Sequence, residues 1–221
     1  ELGGWAPVAP LKSYSHALAV VSSANNDIYA IGGWVHGSKC IDTVERYESI
    51  SDSWVSCAPL LTSRRLHGAA CLSDRIFVFG GATDSDWATA EAESYSISDD
   101  SWQSIQPLPA AGKVAAAAVG APYYPDAVFV AMMGSKLLRY DILADTYATL
   151  AALPLPDWHC FSMVAHGRFL YLIGGVTKGR WTGALFRYDT TSDQFEELPA
   201  MPTVRRRCAA AVVSIGRTST P

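Results

Sequence analysis

The sequence predicts an all-β fold built from a repeated four-stranded antiparallel sheet, and three recurring landmarks predict it. Glycines end short apolar runs in four places: Gly32-Gly33, Gly80-Gly81, Gly134 and Gly174-Gly175. A tyrosine follows each, and seven residues later comes a second aromatic: Trp54, Trp102, Tyr147 and Phe195. These aromatics lie 48, 45 and 48 residues apart, and a turn containing proline closes every copy. Self-similarity at one fixed period indicates a repeat architecture.

Each period contains four short strands, which we call A to D, separated by turn residues. In the second copy the predicted strands are A at 68–72, B at 76–79, C at 91–97 and D at 102–105. Ser, Asp and Arg residues at 73–75 and 98–100 supply the turn chemistry of an antiparallel meander. Residues 115–118 have helix propensity, but their place in the repeat predicts strand A, and position outweighs a weak propensity.

Repeated four-stranded sheets arranged radially form a β-propeller. The repeat boundaries predict one propeller region over 1–221. A strand D of a preceding blade is expected at 1–11 and a strand A of a following blade at 205–216. Complete blades are predicted at 12–60, 63–109, 112–154 and 157–202.

The landmark residues are expected to be architectural. The second glycine of each doublet permits a backbone path that a Cβ would obstruct. A single blade cannot cover its own apolar faces, so the recurring aromatics should be buried between neighbouring blades. These aromatics are Tyr47, Trp54, Tyr95, Trp102, Tyr188 and Phe195.

Composition excludes several classes of protein. The 221 residues are 49% hydrophobic and 17% charged, which excludes a disordered chain. A net charge of −4 argues against binding nucleic acid through phosphate neutralisation. No uninterrupted apolar segment is long enough for a membrane span. The first residues do not form a signal peptide, and we expect Glu1 to be a cut boundary.

Cysteine usage indicates a reducing, cytoplasmic location, with a cytoskeletal or nuclear one as alternatives. The five cysteines are odd in number, widely spaced and without any CxxC motif, so neither a disulfide framework nor a zinc site is expected. Cys71, Cys160 and Cys208 lie in apolar runs, where cysteine is usually a small buried hydrophobe.

The glycine doublets, tyrosine, tryptophan and closing proline resemble the Kelch repeat family over residues 12–202. The segments Val44–Tyr47 and Asp52–Trp54 look most like the Kelch-like branch of adaptors. This resemblance implies a six-bladed ring, which would need roughly 290 residues at this period. It also implies substrate recognition for a cullin-based ubiquitin ligase, with the cullin bound by a separate N-terminal BTB domain that is not in this sequence. A Kelch scaffold or actin-binding protein without a ligase is the alternative, and a Kelch-fold enzyme is the third.

Antiparallel order places the B–C and D–A loops on one face of a propeller. The B–C loops are the long ones, and long loops on a rigid scaffold usually carry function. They combine tryptophan with charged residues, and aromatics with arginine are typical of protein-binding hot spots. The predicted partner-binding residues are Trp34, His36, Arg64, Arg65, Asp84, Trp87, Lys113, Trp158, His159, Lys178, Arg180, Trp181, Arg205 and Arg206.

The arginines before strand A have two interpretations. In the first, their guanidinium groups bind carboxylate or phosphate on a partner, and the resemblance implies an acidic or phosphorylated peptide. In the second, they form ion pairs with a neighbouring blade. The third blade has almost no B–C loop and a longer A–B connection, which predicts a notch through which a peptide enters or, alternatively, simple decay of the repeat.

The sequence favours a binding protein over an enzyme, with no catalytic residues, metal or cofactor expected. His16, His67 and His159 occupy similar positions at the start of strand A, which indicates repeat pattern more than a metal ligand set. The sequence lacks Gly-x-Ser-x-Gly and glycine-rich phosphate loops.

Overall fold

The computed structural model describes residues 6–13, 15–37, 39–118, 123–134 and 136–212, and its regular structure is entirely β. Four antiparallel four-stranded sheets are arranged as the blades of a propeller. Blade 1 consists of β1 (Ala19–Ser22), β2 (Ile28–Ile31), β3 (Val44–Glu48) and β4 (Ser53–Cys57). Blade 2 consists of β5 (Gly68–Leu72), β6 (Arg75–Phe79), β7 (Ala92–Ser96) and β8 (Ser101–Ile105).

The second half of the chain repeats this order. Blade 3 consists of β9 (Val114–Ala118), β10 (Ala127–Met132), β11 (Lys136–Asp141) and β12 (Thr146–Ala152). Blade 4 consists of β13 (Ser162–His166), β14 (Phe169–Ile173), β17 (Leu185–Asp189) and β18 (Gln194–Leu198). A small hairpin, β15 (Val176–Thr177) and β16 (Arg180–Trp181), lies in the loop between β14 and β17.

The strands predicted for the second copy are confirmed to within one residue at nearly every boundary. Strand A is β5 as predicted, and strands B and D each begin one residue earlier than expected. The alanine-rich segment is also confirmed as a strand: β9 pairs antiparallel with β10, with Ala116 opposite Val130. Its place in the sheet therefore overrides its helix propensity.

The hydrophobic core lies between blades. Each of three clusters combines the B and C strands of neighbouring sheets, and in the first, Tyr29 and Ile31 of blade 1 pack with Ile76, Val78 and Tyr95 of blade 2. The first strands β1, β5, β9 and β13 lie side by side around the centre. Of the six recurring aromatics predicted to be buried, Tyr95 and Tyr188 are fully buried. The others are only half-buried: Tyr47, Trp54, Trp102 and Phe195.

A tyrosine–aspartate clasp fastens each blade to the segment before it. The Tyr95 hydroxyl donates to Asp100 at 2.6 Å, and the same carboxylate accepts from the Ala58 backbone N–H at 2.8 Å. The Trp102 indole donates to the Ala58 carbonyl at 2.9 Å. The same tyrosine–aspartate bond recurs in the other three blades as Tyr47–Asp52, Tyr140–Asp145 and Tyr188–Asp193. The recurring aromatics therefore supply hydrogen bonds as well as apolar area.

The glycine doublets are required where one blade meets the next. Gly80 has φ +58°, and a Cβ there would lie 2.4 Å from the Gly112 carbonyl oxygen. Gly81 has φ +100°, and its Cβ would lie 2.6 Å from the Arg65 carbonyl oxygen. Both positions therefore exclude side chains, which confirms the predicted role for the second glycine and extends it to the first.

The described segments outside the four blades contact blades 1 and 4. Residues 6–13 and 199–212 have no strand assignment, and residues 1–5 and 213–221 lie outside the described residues. Ala9 nevertheless contacts Asp52 and Trp54 as Ala58 contacts Asp100 and Trp102. The flanking strands at 1–11 and 205–216, and the ring to which they would belong, stay predictions.

Candidate partner-binding face

The D–A segments and the B–C loops lie on one face, as the strand order predicted. Three isolated bridges join them: His16 with Trp34, Arg65 with Ala82, and His159 with Val176. We call this the upper face. Its described B–C loop residues are 32–37, 39–43, 80–91, 133–134 and 174–184, and its described D–A residues are 12–13, 15–18, 58–67, 106–113, 153–161 and 201–208.

A central cavity of about 1150 Å³ opens on the upper face. Its walls are the beginnings of the first strands, including Val20, Ala69 and Ala116, and its mouth includes Trp87 and Trp181 from the B–C loops. Among the described residues, those of the A–B turns at the opposite ends of these strands do not line it. The cavity therefore lies at the same end of the propeller as the predicted binding loops.

Basic side chains recur at one position around this mouth, directly before each first strand. The Gly33 N–H bonds to the Arg64 carbonyl, Gly81 to Gly112, Gly134 to Trp158 and Gly175 to Arg205. The residue that follows the accepting carbonyl is therefore structurally equivalent from blade to blade. In blade 1 the equivalent residue is the one that bridges to Trp34. All five residues are basic: His16, Arg65, Lys113, His159 and Arg206.

Tryptophans of the B–C loops stack with these basic groups. The Arg65 guanidinium lies 5.2 Å from the Trp34 ring centroid and 5.9 Å from that of Trp87, while the Lys113 ammonium lies 5.6 Å from Trp87. The Arg206 guanidinium lies 4.8 Å from the Trp181 ring. Trp87 is 80% exposed and Trp181 is 53% exposed, so two large apolar rings face solvent beside cations.

The structure corrects the prediction that Arg64 faces a partner. Arg64 is 0% exposed, and its guanidinium lies 2.6 Å from the buried carboxylate of Glu93. It also donates to the backbone carbonyls of Thr62, Gly80 and Glu91. All of its donor groups point into blade 2, so Arg64 is structural, and its ion pair lies within its own blade and not with a neighbouring blade as the second interpretation predicted.

Backbone N–H groups provide further hydrogen bonds to the buried Glu93 carboxylate. Glu93 also accepts from the N–H groups of Leu61 and Thr62, at 2.7 and 3.3 Å. Burial raises the pKa of Glu93, opposed by Arg64 and these N–H groups, and burial lowers the pKa of Arg64. A buried ion pair of this kind is sustained by the extra hydrogen bonds that satisfy both partners.

Trp158 is also corrected, because it is 0% exposed and belongs to the core. Its indole donates to the Gly174 carbonyl at 2.7 Å, and its ring packs on Phe161 and Phe186. Trp158 occupies in blade 4 the position that Arg64 occupies in blade 2, and Phe186 replaces Glu93. One structural position is therefore filled either by an ion pair or by an aromatic pair.

The remaining predicted residues lie on the upper face and are at least partly accessible. Asp84 accepts from the Cys40 N–H at 2.8 Å, which lowers the pKa of Asp84 and ties the B–C loops of blades 1 and 2 together. Lys178 and Arg180 lie on the β15–β16 hairpin beside Trp181. The set is Trp34, His36, Arg65, Asp84, Trp87, Lys113, His159, Lys178, Arg180, Trp181, Arg205 and Arg206.

The histidines do not share one position. His16 and His159 form equivalent bridges, whereas His67 lies two residues after the equivalent position, Arg65, so the prediction of three similar placements is wrong for His67. Both ring nitrogens of His67 are buried without a hydrogen-bond partner, and burial lowers its pKa to about 3.

The short B–C connection of blade 3 is confirmed. Only Met133, Gly134 and Ser135 separate β10 from β11, and a Cβ on Gly134 would meet no atom within 4 Å. The upper face is therefore lower at blade 3 than at blades 2 and 4. The lengthened A–B connection lies partly outside the described residues, at 119–122.

All five cysteines are free thiols, with Cys40 buried and the others half-buried. Burial raises the pKa of the Cys40 thiol to about 11. The cysteines of the apolar runs, Cys71, Cys160 and Cys208, are only half-buried. Within the described ranges, no group of three or more His, Cys, Asp or Glu side chains has a geometry suited to a metal ion. The same ranges contain no helical segment with the length and hydropathy of a membrane span.

Comparison with known proteins agrees with this architecture. The family model of the Kelch motif matches residues 16–61 and 157–202, which are parts of blades 1 and 4. Kelch-like protein 35 of Homo sapiens is 32% identical over 221 residues, covering 98% of this chain and 37% of that protein. Kelch-like protein 23 of Homo sapiens is 25% identical over 215 residues, covering 95% of this chain and 38% of that protein.

The sheets and their shared face define a β-propeller. The matched motifs and the relatives identify this one as a Kelch-repeat propeller, similar to the Kelch-like proteins. The chain spans less than two fifths of the length of these relatives.

Proposed function

We propose that this propeller is a protein-interaction module and that its upper face binds the partner. The observation that carries the proposal is the pair of exposed tryptophans, Trp87 and Trp181, at the mouth of the central cavity. Large exposed aromatics flanked by arginine are the residues that contribute most energy to protein interfaces. The opposite face also exposes Ile50 and Leu143, but as isolated side chains on two separate C–D turns.

The finer proposal is that the module recognises substrates for a cullin-RING ubiquitin ligase. Its support is the similarity to Kelch-like proteins over nearly the whole chain and the resemblance of the repeats to the adaptor branch. In such an adaptor the cullin binds a separate BTB domain, so the propeller supplies only recognition. The partner segment is proposed to be acidic or phosphorylated, because the mouth of the cavity is predominantly basic.

Co-purification from cells tests both the binding role of the upper face and the ubiquitin-ligase role. The protein from which this chain derives is used as bait at its full length, beside the variant Trp87→Ser/Trp181→Ser. The matched control is Ile50→Ser/Leu143→Ser, which removes two exposed apolar side chains from the opposite face. We expect one set of proteins to be lost from the tryptophan variant alone, while a cullin is retained by all three baits.

Other results would contradict either the proposed binding face or the ligase role. Loss of the same proteins from the control, or from neither variant, would show that the upper face is not the binding face. Absence of a cullin from every bait would remove the ligase role and favour the scaffold alternative.

A further inference from the structure

We propose that blade 1 contains a binding site for a guanidinium group, the end of an arginine side chain, at the buried carboxylate of Glu45. The site corresponds to the one that Arg64 fills with its own guanidinium group in blade 2. It does not use the exposed tryptophans of the upper face, so this inference goes beyond the proposed function and does not depend on it.

Glu45 and Glu93 are equivalent residues of blades 1 and 2. Each lies two residues before the clasp tyrosine of its blade. Glu93 accepts hydrogen bonds from the D–A segment before it, one on each carboxylate oxygen. Glu45 does the same with the Lys12 N–H and the Ser13 hydroxyl, both at 3.0 Å. Both carboxylates are buried, since Glu45 is 4% exposed and Glu93 is 2% exposed.

The two sites differ in their cation. In blade 2 the Arg64 guanidinium donates to the buried carboxylate at 2.6 Å. The equivalent residue of blade 1 is Ser15, because the residues that follow, His16 and Arg65, form equivalent bridges to the B–C loops. Within the described ranges, no Lys, Arg or His side chain forms an ion pair with Glu45.

The other blades have matched residues at this pair of positions. Blade 4 has Trp158 with Phe186, and blade 3 has Gly112 with Leu138. Among the described residues of the four blades, the site of Glu45 is thus the one that has the carboxylate without the cation. A buried carboxylate is normally paired with a positive group, so this site is suited to receive one.

Backbone carbonyls complete the set of acceptors. Three carbonyls of blade 2 accept from the Arg64 guanidinium: those of Thr62, Gly80 and Glu91. Their equivalents in blade 1 are the carbonyls of Ser13, Gly32 and Thr43. The Ser15 hydroxyl donates only to the Gly32 carbonyl, at 3.4 Å. Because a guanidinium group carries donors and no acceptor, it fits a site made of acceptors.

The equivalent site of blade 2 lies close to the surface. A pocket of about 210 Å³ adjoins the Arg64–Glu93 pair. Its other walls include small polar residues and a proline: Thr62, Ser104 and Pro107. Blade 1 has similar residues at the same positions: Ser13, Ser56 and Pro59. Since Ser15 lacks most of an arginine side chain, we expect a guanidinium group to reach Glu45 by this route.

The test measures the midpoint of thermal unfolding of the whole chain with small probes at millimolar concentration. The probes are guanidinium chloride and N-acetylarginine amide, which separate a free ion from an arginine side chain. The controls are potassium chloride and the neutral analogue N-acetylcitrulline amide.

Three variants accompany the wild type. Glu45→Gln removes the carboxylate, and Ser15→Arg supplies a guanidinium group from within the chain. Arg64→Ser gives blade 2 the residue that blade 1 has at this position, so it creates a second site and verifies that the assay detects such binding.

We expect guanidinium and the arginine amide to raise the midpoint of the wild type by about 2 °C, and the two controls to leave it unchanged. Glu45→Gln and Ser15→Arg should lose this response. Ser15→Arg should also unfold at a higher temperature than the wild type, because its guanidinium pairs with Glu45. Arg64→Ser should respond more strongly than the wild type.

No response of the wild type, or an equal response of Glu45→Gln, would overturn the proposed site. An equal response to potassium would overturn the choice of guanidinium, and a response to the ion without one to the arginine amide would overturn the arginine side chain as its source. If Arg64→Ser does not fold, Ser15→Arg still decides. A Ser15→Arg variant less stable than the wild type would show that blade 1 cannot hold a guanidinium group where blade 2 does.

Discussion

The Arg64 guanidinium lies 2.6 Å from the Glu93 carboxylate, and both side chains are buried within blade 2. The next residue, Arg65, lies on the upper face and stacks with Trp34 and Trp87. Two consecutive arginines therefore have different environments, since Arg64 is buried in an ion pair within blade 2 and Arg65 lies on the upper face.

Replacing Arg64 should destabilise the propeller strongly. Arg64→Met leaves the buried Glu93 without its counter-charge, and loss of one partner of a buried pair costs about 3–5 kcal/mol. Arg65→Met removes only stacking and should cost less than about 1 kcal/mol. Urea denaturation of both variants measures the difference.

The double variant Arg64→Met/Glu93→Leu should be more stable than Arg64→Met alone, because no buried charge remains unpaired. Blade 4 already has an apolar pair, Trp158 and Phe186, at these two positions. If the double variant were less stable than Arg64→Met, the ion-pair account of this site would be wrong.

His67 should make the stability of the propeller depend on pH. Burial lowers the pKa of His67 to about 3 in the folded protein, against an ordinary value of 6.5. The unfolded state therefore binds the extra proton as pH falls below 6.5, and stability should decrease by about 1.4 kcal/mol per pH unit. Chemical denaturation between pH 7.5 and 5 measures this slope.

The matched variant for that experiment is His67→Leu, since leucine occupies the equivalent position of blade 1 at Leu18. It should unfold with a flatter pH profile over the same range. An unchanged slope in His67→Leu would show that other groups cause the pH dependence.

Removing one hydroxyl should weaken the clasp between blades 1 and 2. Tyr95→Phe removes the 2.6 Å bond to Asp100 while retaining the ring, and should cost about 1.5–3 kcal/mol for a bond to a charged group. Tyr123→Phe is the control, because Tyr123 is exposed and forms no side-chain hydrogen bond among the described residues. Equal thermal midpoints for the two variants would contradict the clasp.

The strands of the second copy could be predicted because each strand has its own local signal. Apolar runs, turn residues and glycine doublets recur at a fixed period, and a fixed place in the period decided even the ambiguous alanine segment. The clasp was not predicted, although Asp52, Asp100, Asp145 and Asp193 recur five residues after each tyrosine. That spacing was a usable signal for the hydrogen bond.

The candidate site could be predicted in location but not residue by residue. Strand order decides which loops share a face, so the upper face follows from topology alone. Whether an arginine faces inward depends on a carboxylate 29 positions away, as with Arg64 and Glu93. Trp158 and Trp181 likewise both follow a charged residue in a loop, and packing against Phe161 and Phe186 places the first in the core.

The most direct test of the central claim is hydroxyl-radical footprinting of the protein bound to a partner that it captures from cells. We predict that the partner reduces the oxidation of Trp87 and Trp181 and leaves the oxidation of Ile50 and Leu143 unchanged. Protection of Ile50 and Leu143 with unchanged oxidation of the two tryptophans would place the partner on the opposite face and contradict the account.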